Sequence, residues 1–546
     1  MTAQLVLTNA RIATSGDLVA IVLDGRDIRE VVPSAQAPSG VSTIDLQGRT
    51  VLPGVDDAHL HAYEHGRALT AIDLAKVTSL GELREALACA APEASGWYRG
   101  HGWDGMVVHG SAHDGGLIAS DIDDVTPGGP ALLGDSTGHV ALCNNLALRA
   151  AGIHRSTPDP QGGIIVRNAD GDPTGLLLEA AVALVSQAIP EISRADRIAA
   201  LRAAHADLLA RGIVAVTDPG LGPGGRTLMD GTGTLDAVEA YEDLDRSGGL
   251  LLRTHVMLLF GGLGGTTADA VACGLDDWGP PRRSGRGGRL SIDQVKVFAD
   301  GIPRSRTAWL SEPYDDCTHG HMTVAGNSDE ERVAELHAIV SAAARRGWQV
   351  GAHCTGDATI TAYIDAAEAT GTSHQLGHYL IHGDLIRKQD LPRLASLGMT
   401  LNTNPGIRWS VGHGVSSILG EARNLGRQPL QSARSAGVNV VASSDAPVTL
   451  PDWGTILAAA MTRALRDDPA YTDDESVTGL EAVEMMTVNA ARQSSENGWR
   501  GRLAPGMAAD LVVLDSEVDW ADPWSLKDSS VCATLIDGSV VFGSLT

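Results

Sequence analysis

The chain has 546 residues, 43% of them hydrophobic and 20% charged, with a mean hydropathy of -0.01. That is the make-up of an ordinary globular protein and excludes disordered and fibrous classes. A formal net charge of -26 argues against nucleic acid or an anionic membrane as partner, since phosphate binding relies on clustered Lys and Arg; a small-molecule substrate is expected instead.

The opening MTAQLVLTNARIATSG lacks a basic segment followed by an apolar one, and no run of about 18 apolar residues occurs, so a cytoplasmic protein is expected. Cys89, Cys143, Cys273, Cys317, Cys354 and Cys532 are scattered without a C-x-x-C pair, which points to neither a disulfide framework nor a cysteine zinc module.

In chain order, QLVLTNARI and AIVLDGRDIREVV alternate in strand fashion up to about Thr50, and DLVVLD and ATLIDGSVVFG do the same near the C-terminus. Chain termini often lie close together, so residues 1–50 and 500–546 are expected to share a small composite β-domain. Between them come eight apolar, β-branched runs: 51–61, 212–220, 251–260, 292–301, 348–356, 376–386, 398–406 and 438–448. Helical stretches such as DRIAALRAAHADLLARG and DEERVAELHAIVSAAARRG separate many of them. Strands alternating with helices imply parallel βαβ units, and eight imply an α/β fold, a (β/α)8 TIM-type barrel over 51–499. The first gap, about 62–211, is too long for one helix and is expected to hold an inserted cap over the C-terminal ends of the strands.

Those strand ends carry His59 and His61 on the first run, Lys296 on the fourth, His353 on the fifth, His382 on the sixth and Asp445 on the eighth. Catalytic residues of such barrels converge from several strand ends on one face. Imidazole and carboxylate suit zinc and related divalent ions, and four His with an Asp exceed the needs of one structural tetrahedral site. The further H-x-H of His319 and His321 reads as a polar loop. Lys296, set in QVKVFADG, is either paired with Asp300 four residues on or has a role of its own, because lysine is seldom buried without a partner.

Three other features bear on function. Trp103, Trp309, Trp409 and Trp453 fall in the cap or after strands four, seven and eight, and are candidates to line a substrate pocket. GDSTG at 134–138 matches G-x-S-x-G, making Ser136 the nucleophile of a competing serine-hydrolase reading. GLGPGG at 220–225 matches a dinucleotide fingerprint, but Pro223 removes a backbone donor and a loop is expected.

VLPGVDDAHLHA, VKVFADGIPRSRTAWL, VGAHCTGDA, SSDAPV and TVNAARQSSENGWRGRLAPGMAADLVVLD together resemble the amidohydrolase superfamily. GHVALCNNLALRAAGI and GGIIVRNADGDPTGLLLEAA are similar to signatures of its YtcJ-like group, which includes N-substituted formamide deformylases. The resemblance implies a metal-dependent hydrolase of carbon–nitrogen bonds holding one or two zinc ions. His59, His61, His353 and His382 would be ligands, and Asp445 a ligand that also handles the proton. Lys296 would be a carbamylated lysine bridging two metals, since a carbamate offers two oxygens where an ammonium repels cations. Relatives usually carry glutamate before the sixth-strand histidine, and here that place is Ile381. His139 and Glu179, in the insertion, are further pocket candidates. The implied substrate is a small amide, most simply an N-substituted formamide with an apolar or aromatic substituent, cleaved to an amine and formate by a homo-oligomer, a dimer. A non-catalytic regulatory barrel is the other competing reading.

Overall fold

The computed structural model describes residues 4–93, 95–105, 108, 116–160, 162–224, 234–262 and 265–546. Its centre is a sheet of eight parallel strands, numbered along the barrel as β1 (Val55–Asp57), β2 (Ile213–Leu221), β3 (Arg253–Leu258), β4 (Leu290–Phe298), β5 (Gln349–Cys354), β6 (Tyr379–His382), β7 (Thr400–Thr403) and β8 (Asn439–Ala442). The strands pair in that order. Nearly every strand residue is buried, which is why the runs read as continuous apolar stretches rather than alternating ones.

The outward side chains, among them Val216, Val256, Val295, Val297 and Val350, pack against the surrounding helices in one large core. Helix Asp329–Arg345 opens where the Ser328 hydroxyl accepts the Glu331 amide, and helix Arg194–Ala210 where Ser193 accepts that of Asp196. The inward face is filled in layers. Met257, Tyr379 and Ile381 pack together there, and the Tyr379 hydroxyl donates to Gln294 at 2.8 Å. Gly351 makes room for this cluster, because a Cβ there would stand 2.7 Å from Met257 Cε. Toward the strand starts lies a buried charge network: Arg500 pairs with Asp56 at 2.6 Å and Glu496 at 2.5 Å, and His255 lies 3.3 Å from both Glu496 and Asp293.

A second eight-stranded sheet joins the two termini. Strand Gln4–Ile12 pairs with Leu18–Asp24, Ser42–Asp45 and Thr50–Pro53, and the last of these pairs antiparallel with Leu511–Leu514, which leads to Val531–Ile536 and Ser539–Gly543. Residues 51–61 are therefore not one strand. Thr50–Pro53 lies in the terminal sheet, the chain changes sheets at Gly54, and His59 and His61 lie past β1.

A third, six-stranded sheet runs from Ile72–Asp73 to Pro173–Glu179, between β1 and β2. Helices Ala62–Ala68 and Arg194–Ala210 flank it in sequence and pack closely on each other, with Gly66 against the Ala200 carbonyl. The six cysteines are all free. Among the described residues no helix is long and apolar enough to cross a membrane.

Candidate metal centre

Past β1 and β8 the chain turns so that the two segments hydrogen-bond to each other. The Asp445 N–H donates to the His59 carbonyl and the His61 N–H to the Ala446 carbonyl, both at 2.9 Å. Ligand atoms of His59, His61 and Asp445, all buried, lie within 4.8 Å of one another. Asp445 Oδ1 is 3.1 Å from His61 Nε2 and 3.3 Å from His59 Nε2.

His382 joins them from the end of β6, its ring centroid 5.6 Å from that of His59, and His353 from β5 lies 4.6 Å from His382. Their partners decide which nitrogen is left for a cation. His353 Nε2 donates to the Gly301 carbonyl at 3.1 Å, which can only accept, so Nδ1 keeps its lone pair. His382 Nδ1 lies 2.7 Å from Asn404 Oδ1, and Asn404 Nδ2 donates to the Ser443 carbonyl at 3.1 Å, orienting the amide and leaving His382 Nε2 open. His382 and Asp445 hold φ of 69° and 59°, a left-handed region that non-glycine residues enter at a cost and that recurs at functional sites.

The electrostatics suit a cation. Burial, then the Lys296 charge, lowers the His59 pKa; burial, then neighbouring His382, His139 and Lys296, lowers that of His353; burial and Lys296 lower that of His382 against the pull of Asp445. Burial alone would raise Asp445, but the His59 and His61 imidazoles that face it, with His382 nearby, hold it well below the usual carboxylate range. Neutral imidazoles around an anionic carboxylate are the protonation states a divalent ion requires. Neither ring nitrogen of His59 makes a hydrogen bond, since its approach to Asp445 is off angle. A buried imidazole left in that state fits a missing ligand bond.

Lys296 is 1% exposed, its Nζ 4.8 Å from the Phe298 ring centroid. Asp300 does not pair with it. That carboxylate instead accepts the amides of Thr355 at 2.9 Å, Gly356 at 2.8 Å and Trp309 at 3.2 Å, and burial raises its pKa to about 7.

From the cap, His139 reaches within 5.5 Å of His353, ring centre to ring centre. Its Nδ1 is 2.6 Å from Glu179 Oε2, and Glu179 Oε1 accepts the Thr307 hydroxyl at 2.7 Å, tying the cap to the loop after β4. Burial would lower the His139 pKa, but the charge and hydrogen bond of Glu179 outweigh it and the net shift is upward.

Three of the four tryptophans are engaged elsewhere. Trp103 sits in the cap's own core and donates to the Leu133 carbonyl at 2.9 Å. Trp409 stacks on Trp524, ring centres 5.4 Å apart. Trp453 donates to the Arg211 carbonyl at 2.7 Å, just before β2, at the opposite end of the barrel from the histidines. Trp309 alone stays beside the site's loops, through its amide bond to Asp300. The tryptophans therefore form no common aromatic wall, because each indole buries its ring where its own helix or sheet needs one.

Ser136 lies in the turn of an antiparallel hairpin, Ala131–Asp135 to Val140–Cys143, rather than on a strand-to-helix elbow. Its Oγ is buried without a hydrogen-bond partner, so no base activates it, and the serine-hydrolase reading falls. In GLGPGG, Gly222 forms an isolated bridge to Thr234, and Gly225 lies outside the described residues. Asn404 and Thr307 escaped the sequence reading; the position of Asn404 just past a barrel strand was the available signal.

The amidohydrolase family model matches residues 42–542. The chain belongs to the amidohydrolase family. It is similar to the Bacillus subtilis protein YtcJ, 29% identical over 510 residues that cover 91% of this chain and 90% of YtcJ. An N-substituted formamide deformylase of Arthrobacter pascens is 28% identical over 546 residues, 96% of this chain and 94% of that enzyme. A crystal structure of a metal-dependent hydrolase from Pyrococcus horikoshii superposes with a TM-score of 0.73 at 23% identity, covering 99% of this chain and all of the other. This amidohydrolase is thus a hydrolase of carbon–nitrogen bonds on a metal-dependent hydrolase fold.

Proposed function

We propose that the protein hydrolyses the amide bond of a small N-substituted formamide or similar amide, releasing an amine and a carboxylic acid. The observation that carries this is the buried set of His59, His61, His353 and His382 around anionic Asp445. The deformylase relative names the class to assay first. Tryptophan placement lends no support to an aromatic substituent.

His59, His61, His353, His382 and Asp445 would hold one or two zinc ions. Such an ion lowers the pKa of water toward about 7 and polarises the substrate carbonyl. With Oδ1 turned to both imidazoles, Asp445 uses Oδ2 to take the proton from the attacking water and return it to the departing nitrogen. As an imidazolium, His139 gives its Nδ1–H to Glu179 and presents Nε2–H as a donor to the carbonyl oxygen. The Glu179–Thr307 bond holds the cap down and keeps bulk water out.

Lys296 acts as a carbamate. It is buried, and as an ammonium it would oppose cation binding, which its depression of three histidine pKa values already expresses. The test is metal analysis followed by a screen of N-substituted formamides and small amides with zinc-loaded protein, reading amine release. Release lost with chelator and restored by zinc is expected; no release from any amide overturns the reading. A density map with a bare amine at Lys296 in the metal-loaded enzyme would remove the carbamate.

A further inference from the structure

β4 and β5 stay in register up to Phe298 and His353, and the Ala299 N–H adds one last bond to the His353 carbonyl at 3.0 Å. Past that point both chains leave the sheet, and Asp300, fully buried, keeps them side by side. Its Oδ1 accepts the Thr355 N–H at 2.9 Å, and its Oδ2 accepts the Gly356 N–H at 2.8 Å and the Trp309 N–H at 3.2 Å. The turn after β5 and the far part of the β4 loop thus hang on one side chain. A charged acceptor makes the stronger hydrogen bonds, and asparagine could not replace it, because its NH2 group would face amide donors. The approach is close: a Cβ on Gly356 would run into the Trp309 carbonyl.

Thr355, fixed through its amide, turns its hydroxyl to the Gly301 carbonyl at 2.6 Å; the Asp300 oxygen is farther away, at 3.4 Å. The same carbonyl accepts His353 Nε2–H at 3.1 Å. A carbonyl oxygen has two lone pairs, so Thr355 occupies one and steers the other at the ring. Gly301 follows Asp300 directly in the chain, which leaves both ends of this turn tied to the Asp300 carboxylate. A neutral imidazole carries one proton, and the nitrogen that gives it to an acceptor cannot also bind a cation.

We propose that Asp300 and Thr355 are positioning residues that decide which nitrogen His353 offers to a metal. Asp300 holds Thr355, Thr355 holds the Gly301 carbonyl, and that carbonyl claims Nε2, leaving Nδ1 for the ion. Without the clamp the ring is free to turn over and present Nε2 instead. Neither residue supplies a ligand atom; both act through His353. This deepens the metal-site reading and rests on it, but does not depend on which amide is cleaved.

The test uses the full chain with isotope-labelled histidine. Thr355→Val fills the same space without the hydroxyl, and Thr355→Ser keeps the hydroxyl. In zinc-free wild type, His353 Nε2–H is expected as a slowly exchanging imidazole resonance in the NMR spectrum, assigned by its loss in His353→Gln. The resonance should be lost in Thr355→Val and in Asp300→Asn and kept in Thr355→Ser. Competition with a chromophoric chelator should show zinc held about 10- to 100-fold more weakly by Thr355→Val, with Thr355→Ser close to wild type.

Zinc affinity unchanged in Thr355→Val overturns the proposal and leaves the metal centre standing. Should wild type bind no zinc, the resonance decides: its loss in Thr355→Val keeps the clamp on His353 and sinks the metal centre, while its survival there sinks both. Thermal melts check folding, and if Asp300→Asn does not fold, the two Thr355 variants give the answer, since each removes or keeps one hydroxyl in an otherwise filled site.

Discussion

Asp445 and His59 meet twice: the Asp445 backbone N–H donates to the His59 carbonyl at 2.9 Å, and the Asp445 carboxylate stands 3.3 Å from the His59 ring. The join between the first and last barrel segments is therefore also the centre of the donor cluster. Asp445→Asn keeps the size of the side chain and the backbone bond while removing the charge and the basic oxygen. Folding should survive, as judged by circular dichroism. Turnover should fall by about 10²–10⁴-fold, the usual worth of a general base. An Asn variant with near wild-type kcat would remove Asp445 from the proton path.

Metal removal should cost stability as well as activity. The four imidazoles and the carboxylate come together only in the folded state, so an ion held there would stabilise by mass action, about 2.7 kcal/mol at a hundredfold excess over Kd. The melting temperature of chelator-treated protein should rise on adding zinc, and a Tm indifferent to zinc would argue against a resident ion.

Asn404 is a positioning residue. It fixes the His382 tautomer through the 2.7 Å contact and is itself held by Ser443. Asn404→Ala should weaken zinc binding 10- to 100-fold, measured by competition with a chromophoric chelator. Asn404→Asp, which restores an acceptor for Nδ1–H, should recover most of it.

Glu179 holds the His139 pKa up against burial. With Glu179→Gln that support goes, burial prevails, and His139 loses its proton at lower pH. The alkaline limb of the kcat profile should move down in pH; an unmoved limb would detach the His139–Glu179 pair from the reaction.

Stability should fall in mild alkali for a separate reason. His255, between Glu496 and Asp293, has its pKa raised to about 10: burial works against the charge, but Glu496 and then Asp293 overcome it. A raised folded pKa means the folded state holds the proton more tightly, so the contribution is complete below about 6.5 and is lost as pH climbs through about 10. Tm measured from pH 6 to 10 should decline, and His255→Gln, less stable at pH 6, should show a flatter decline over that window.

Much of the site was legible because its signal is local. His59, His61, His353, His382 and Asp445 each sit at or just past an apolar run, where the barrel rule puts chemistry, and the structure brings all five together. The tryptophans were not legible, because an indole near a strand end in sequence can still pack on the far side of its helix. Trp453 does so, reaching the Arg211 carbonyl below β2. Lys296 and Asp300 share a stretch of chain but not a contact, since two backbone amides from the loop after β5 and one from further along its own loop compete for that carboxylate.

By itself, then, the sequence determined the alternation of strand and helix, the barrel, and the kinds of donor atom on offer, because hydrophobic periodicity and residue chemistry are properties of neighbours along the chain. Only the tertiary structure decided which nitrogen of His353 and His382 faces the centre, and that His59 and Asp445 meet at the barrel seam. Those outcomes depend on hydrogen bonds between residues tens to hundreds of positions apart, such as His382 with Asn404 and His139 with Glu179, and a partner at that range leaves no periodic trace in the chain.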